Sequence, residues 1–140
     1  MSTPIPIAFV NKHSLLARFI RDELLPDFDV VKTCHDLTDA GMDLRRCCDD
    51  PQAPSSHQGV GSNEEVDLKD RKAPRAVVIG LGLDEQETTT LQDMIERAVS
   101  GLVVVRVKVD YELEEAVVAM IPDLRNQLHK LVEDGTIKRE

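Results

Sequence analysis

The chain has 140 residues, a formal net charge of -9 and 41% hydrophobic residues, which suits one globular domain and argues against wholesale disorder. An acidic surface repels nucleic-acid backbones and anionic membranes, and one Tyr, three Phe and no Trp leave little for base stacking. No apolar run approaches the roughly 20 residues needed to span a bilayer, and Met1-Ser2-Thr3-Pro4 does not open a secretory signal, so a cytoplasmic protein is expected.

The first strand is expected over Ile5 to Val10, apolar nearly throughout, as in a strand covered on both faces. Ser14 is placed to cap a helix whose Leu16, Ile20 and Leu24 recur every four residues, and Pro26 stops it. Phe28 to Cys34 reads as the second strand. A second helix opens near Asp36 or Thr38, with Leu37, Gly41, Leu44 and Cys48 on one face and Ala40 and Cys47 widening the stripe. Adjacent cysteines rarely bridge each other, and the three thiols lack zinc-type spacing. Cys47 and Cys48 are therefore read as small core residues of a reduced protein, ahead of any redox role.

From Asp49 to Pro74 the chain is rich in Pro, Ser, Gly, Gln and charge, with neither helical nor strand period, and is expected to be a flexible surface insertion. Its His57 has no second ligand near it in sequence. Arg75 to Leu83 supplies the third strand and its exit loop. Asp84 caps a third helix with Leu91, Met94, Ile95, Ala98 and Val99 on the buried side, and Gly101 ends it. Leu102 to Val107 is the fourth strand and the most β-branched run. Helical spacing resumes at Tyr111, with Leu113, Ala116, Val117 and Met120 on one side. Pro122 either kinks this helix or starts an extra terminal one, carrying Leu124, Leu128, Leu131 and Val132 and closed by Gly135. The pattern predicts one α/β domain over 1–140, a flavodoxin-like three-layer sandwich whose four-stranded parallel sheet has the order 2-1-3-4.

Ligands of open parallel sheets collect beyond the carboxyl ends of the strands. The residues expected there are Asn11, Lys12 and His13; Cys34, His35 and Asp36; Gly80 and Gly82; and Lys108 to Asp110. Two histidines, a cysteine and acids on adjoining loops have the chemistry of a metal or nucleophile site, yet such edges carry polar loops whether or not they work. Gly80-Leu81-Gly82 lacks the third glycine of a dinucleotide fingerprint and follows the third strand, so it equally suits a tight turn. Glu112, Glu114 and Glu115 suit a helix amino terminus. No metal site and no cofactor is assigned.

Three segments resemble bacterial response-regulator receiver domains: Val10-Asn11-Lys12-His13-Ser14-Leu15-Leu16-Ala17-Arg18 at the first strand exit, Phe28-Asp29-Val30-Val31 with Asp36 to Ala40, and Val77-Val78-Ile79-Gly80-Leu81-Gly82-Leu83. The resemblance covers most of the chain outside 49–74. It implies that the family's two metal-binding acids fall on Asn11 and Lys12, its phosphoacceptor on Gly80, and its fourth-strand hydroxyl on or near Val107. The family's fifth strand and lysine have no counterpart. Mg²⁺ requires hard, mostly anionic oxygen ligands, which an amide, an ammonium and a glycine do not supply, so aspartyl-phosphate signalling is not expected.

The resulting expectation is a degenerate, phosphorylation-independent receiver-like module, regulatory or scaffolding, that binds another protein or its own copy, with a homodimer favoured. By the family's habit the interface falls on the late helices, Tyr111 to Val132, through Tyr111, Leu113, Val117, Leu124 and Leu128, and the fourth strand joins it through Val104 because without a fifth strand it lies at an uncovered edge. The alternative is a small enzyme or ligand-binding protein using Asn11, His13, Cys34, His35 and Gly82.

Overall fold

The computed structural model describes residues 4–10, 14–34, 38–50, 63, 66–79, 83–107 and 114–137. The elements run β1 (Ile5–Val10), α1 (Ser14–Leu24), β2 (Phe28–Cys34), α2 (Ala40–Asp49), a single 3-10 turn (Leu68–Asp70), β3 (Ala76–Ile79), α3 (Glu85–Ala98), β4 (Val103–Arg106) and α4 (Glu114–Glu133). The four strands form one sheet in the order β2-β1-β3-β4, and every pairing is parallel. The expected α/β sandwich and strand order are those observed.

The sheet separates two apolar layers, and the period-two alternation of each strand decides which residue serves which. Ile5, Ile7 and Phe9 of β1 join Ala76, Val78 and Val105 beneath Ile20 and Leu24 of α1 and Met120, Ile121, Leu124 and Leu128 of α4. Ala8 and Val10 join Val77 and Ile79 beneath Ala40 and Leu44 of α2 and Leu91 and Ile95 of α3. β2 keeps this alternation through a register shift. Ile7 pairs with Val30 and Ala8 with Lys32, leaving Val31 as the extra residue, so Cys34 faces the α2 side. Lys32 and Thr33 are buried on this strand as well.

Local chemistry explains the helix ends. Asp84 Oδ1 accepts from the Glu87 backbone N–H at 2.7 Å, and the Asp84 N–H donates to Glu87 Oε1 at 3.2 Å, a reciprocal capping box at the start of α3. Gly101 and Gly135, past the ends of α3 and α4, have φ of 87° and 86°, a region that glycine enters without the Cβ penalty.

Three expectations need correction. Pro122 does not begin another helix, because it lies inside α4, which runs from Glu114 to Glu133. Pro122 and Val118 both face solvent, so the carbonyl deprived of its N–H partner lies on the hydrated side. The stretch from Asp49 to Pro74 is not featureless throughout. Asp49 belongs to α2, Leu68–Asp70 makes a 3-10 turn, and Asn63 and Pro74 are buried. Finally, Leu124 and Leu128 are 1% and 0% exposed within this chain's own core, and are not surface residues open to a partner.

Candidate functional site

At the carboxyl edge of the sheet, Val10 pairs with Cys34 and Ile79 with Arg106. Cys34 is thus the described member of the strand-end set. Asn11, Lys12, His13, His35, Gly80 and Gly82 lie outside the described residues, as do Asp36 and Lys108 to Asp110. Cys34 is 3% exposed, and burial pushes its thiol up to about 12. The Lys32 charge pulls the other way, while Asp43 and Cys47 add to the rise. A protonated, enclosed thiol is a poor nucleophile and a poor metal ligand. Asp84, next along this edge, is committed to the α3 cap, with its carbonyl also accepting from Thr88 Oγ1 at 2.8 Å. Among the described residues, no group of three or more His, Cys, Asp or Glu is placed to hold a metal ion.

The lateral edge is formed by β4. Val104 is half-buried and packs against the α2–α3 layer, while Arg106 is exposed and reaches Glu85 Oε1 at 3.3 Å. The Val107 N–H donates to the Ile79 carbonyl at 2.9 Å, continuing the β3–β4 ladder. In a parallel strand, alternate residues point their N–H and C=O to opposite neighbours. Val103, Val105 and Val107 therefore face β3, and the backbone groups of Val104 and Arg106 face outward. Among the described residues no strand follows on that side. Tyr111 and Leu113 lie outside the described residues, and Val117 falls within α4.

The opposite, amino edge of the sheet was not singled out by sequence. It holds a cavity of about 620 Å³ between the start of β1, the approach to β3 and the ends of α2 and α3. Its lining includes Lys72 and Arg75 together with Cys48, Val99 and Gly101. The approach to β3 is pinned at two points. The Asn63 side-chain amide brackets the Lys72 backbone, accepting from its N–H and donating to its carbonyl, each at 2.9 Å. Three residues on, the Arg75 N–H donates to the Pro6 carbonyl at 2.7 Å. Cys47 Sγ also contacts the Asn63 amide at 3.8 Å and the Lys72 carbonyl at 4.0 Å. Burial, helped by Cys47 and Asp49, pushes the Cys48 thiol up to about 11. The available sequence signal was the run of four cations from Lys69 to Arg75 in an otherwise acidic chain.

On the α1–α4 face, His129 Nε2 lies 3.1 Å from Asp27 Oδ2, its ring meets Phe28 edge-on at 5.1 Å, and the Arg125 guanidinium donates to the Glu23 carbonyl. These contacts fasten α4 to the α1–β2 turn. No described helix is long and apolar enough to cross a membrane. Comparison with known protein families, curated proteins and solved structures gives no match.

Proposed function

We propose that the chain is a non-catalytic, receiver-like binding module that associates with a second copy of itself through β4. The observation carrying this reading is the outward-facing N–H and C=O of Val104 and Arg106 on a strand with no described neighbour beyond it. Such an edge presents donors and acceptors that a twofold-related copy satisfies with the same groups, and a parallel sheet whose last strand stays open is a liability that proteins cover. The enclosed Cys34 supports binding over catalysis, because this strand-end thiol is held protonated. The surrounding module would then act by presenting its paired form to further proteins, with phosphorylation playing no part.

Light scattering across a concentration series tests the pairing, with a dimer of twice 15.6 kDa expected at high micromolar concentration. Arg106→Pro removes one outward N–H without touching the β3 ladder, and proline is tolerated on edge strands. That variant should fold and become monomeric, whereas Arg106→Ala, which keeps the N–H, should remain dimeric. A folded Arg106→Pro dimer would place the interface elsewhere.

A further inference from the structure

We infer that the cavity at the amino edge of the sheet is a binding site for a small organic anion carrying an apolar body, gripped by Lys72 and Arg75. Its volume of about 620 Å³ lies within the ~300–1,000 Å³ typical of small-molecule sites. The lining divides by chemistry. Pro4, Pro6, Pro74, Val99 and Leu102 offer rigid or branched apolar surface, while Lys72 and Arg75 bring two cations. Local charge opposes the rest of the molecule: four cations and one acid, Asp70, fall within the seven residues from Lys69 to Arg75, in a chain of net charge -9.

The backbone that carries the two cations is also held in place. Asn63 is 4% exposed and spends its amide on both backbone groups of Lys72, and Arg75 is fixed by its bond to Pro6. Backbone anchored this way is ordered before a ligand arrives, so binding has to order the two side chains alone. Arg offers a fork matched to carboxylate or phosphate oxygens, and Lys adds a compact charge beside it. Cys48, on the α2 side, stays neutral because burial pushes its thiol up to about 11, and no carboxylate is among the lining residues. The site does not depend on β4 pairing, since neither Val104 nor Arg106, the outward-facing residues of that strand, lines it.

The test is a titration of the ¹⁵N-labelled full chain with phenyl phosphate, followed by backbone amide shifts. Inorganic phosphate and benzyl alcohol serve as separate halves of the probe. The expected result is saturable shifts confined to residues 48, 72–75 and 99–102, with inorganic phosphate weaker and benzyl alcohol weakest. Lys72→Gln combined with Arg75→Gln should weaken phenyl phosphate at least tenfold, and Lys72→Arg with Arg75→Lys should restore it. Thermal melting of each variant confirms that the fold is intact. Absence of saturation at millimolar probe, or equal affinity in the double glutamine variant, would overturn the inference. So would a fall in melting temperature of that variant without saturable binding to the unaltered protein, which would give the cations a structural role alone. Inorganic phosphate binding as tightly as phenyl phosphate would remove the apolar half of the proposal.

Discussion

Gly41 on α2 lies so near Ala98 on α3 that a Cβ built at position 41 would stand 3.4 Å from the Ala98 Cβ and 3.5 Å from the Met94 carbonyl oxygen. That spacing is ordinary van der Waals contact for one methyl and leaves no room for more. Gly41→Ala should therefore raise stability by up to about 1 kcal/mol, through the backbone entropy that glycine forfeits in a helix. Gly41→Leu should lower it by about 1–3 kcal/mol through overpacking. Urea unfolding of the two variants gives opposite signs if α2 and α3 pack as described.

The capping box sets the first turn of α3. Asp84→Ala removes the acceptor for the Glu87 N–H and should cost about 1 kcal/mol. Asp84→Asn, which keeps a capping oxygen, should recover most of it. Thermal unfolding measures both, and equal losses would mean that the carboxylate's charge, not its hydrogen bond, matters at this helix end.

Cys34 makes stability depend on alkaline pH. Its ordinary value is 9.0 and the folded state raises it to about 12, so the folded protein holds this proton more tightly than the unfolded chain. Below about pH 9 both states keep the proton and the thiol adds no pH dependence. Between about 9 and 12 the unfolded state ionises first, so stability falls as pH rises. Cys48, raised to about 11, contributes in the same direction. Denaturant midpoints at pH 8.5 and 10.5 should show a smaller drop in Cys34→Ala than in the unaltered protein. Thiol reagents at pH 8 should leave Cys34 unmodified until the chain unfolds.

Leu128 discriminates core from interface. It is 0% exposed under α4, beside Leu124 and Phe28 in the same apolar layer. Leu128→Ala should cost about 2–5 kcal/mol by opening a cavity, and should leave the dissociation constant of any dimer unchanged when measured well below the melting point. A folded variant that falls apart into monomers would return this residue to an interface role.

Much of the fold was legible because its signals are local. A nearly unbroken apolar run marked β1 and the Phe28 to Cys34 segment marked β2, both with the observed bounds, Asp84 announced a cap, and Gly101 and Gly135 marked the ends of α3 and α4. What escaped was long-range. The periodic leucines of α4 say that one side is buried, without saying whether against this sheet or a second chain. Lys32 is buried on β2, which the sequence of that strand does not announce. The Asn63 bracket on Lys72 joins residues across a stretch with no period, where no sequence pattern reports a contact. Pro122 misled because its effect depends on which way it faces, which composition does not reveal. Apart from Cys34, the residues named for the strand-end site are outside those described, so that part of the expectation stands as a proposal.

The central place of β1 has a consequence for the kinetics of folding. Its partner β2 arrives after one helix, whereas the pairing of Phe9 with Val78 joins points about half the chain apart. Loop-closure entropy grows with the logarithm of length, and doubling such a separation adds only about 0.6 kcal/mol. Rates respond more strongly to sequence separation than stabilities do. The β1–α1–β2 unit is expected to assemble early, with the transition state reached when β3 docks beside it. Lengthening the chain between positions 50 and 63 should consequently slow refolding in stopped-flow measurements while leaving the unfolding rate nearly constant.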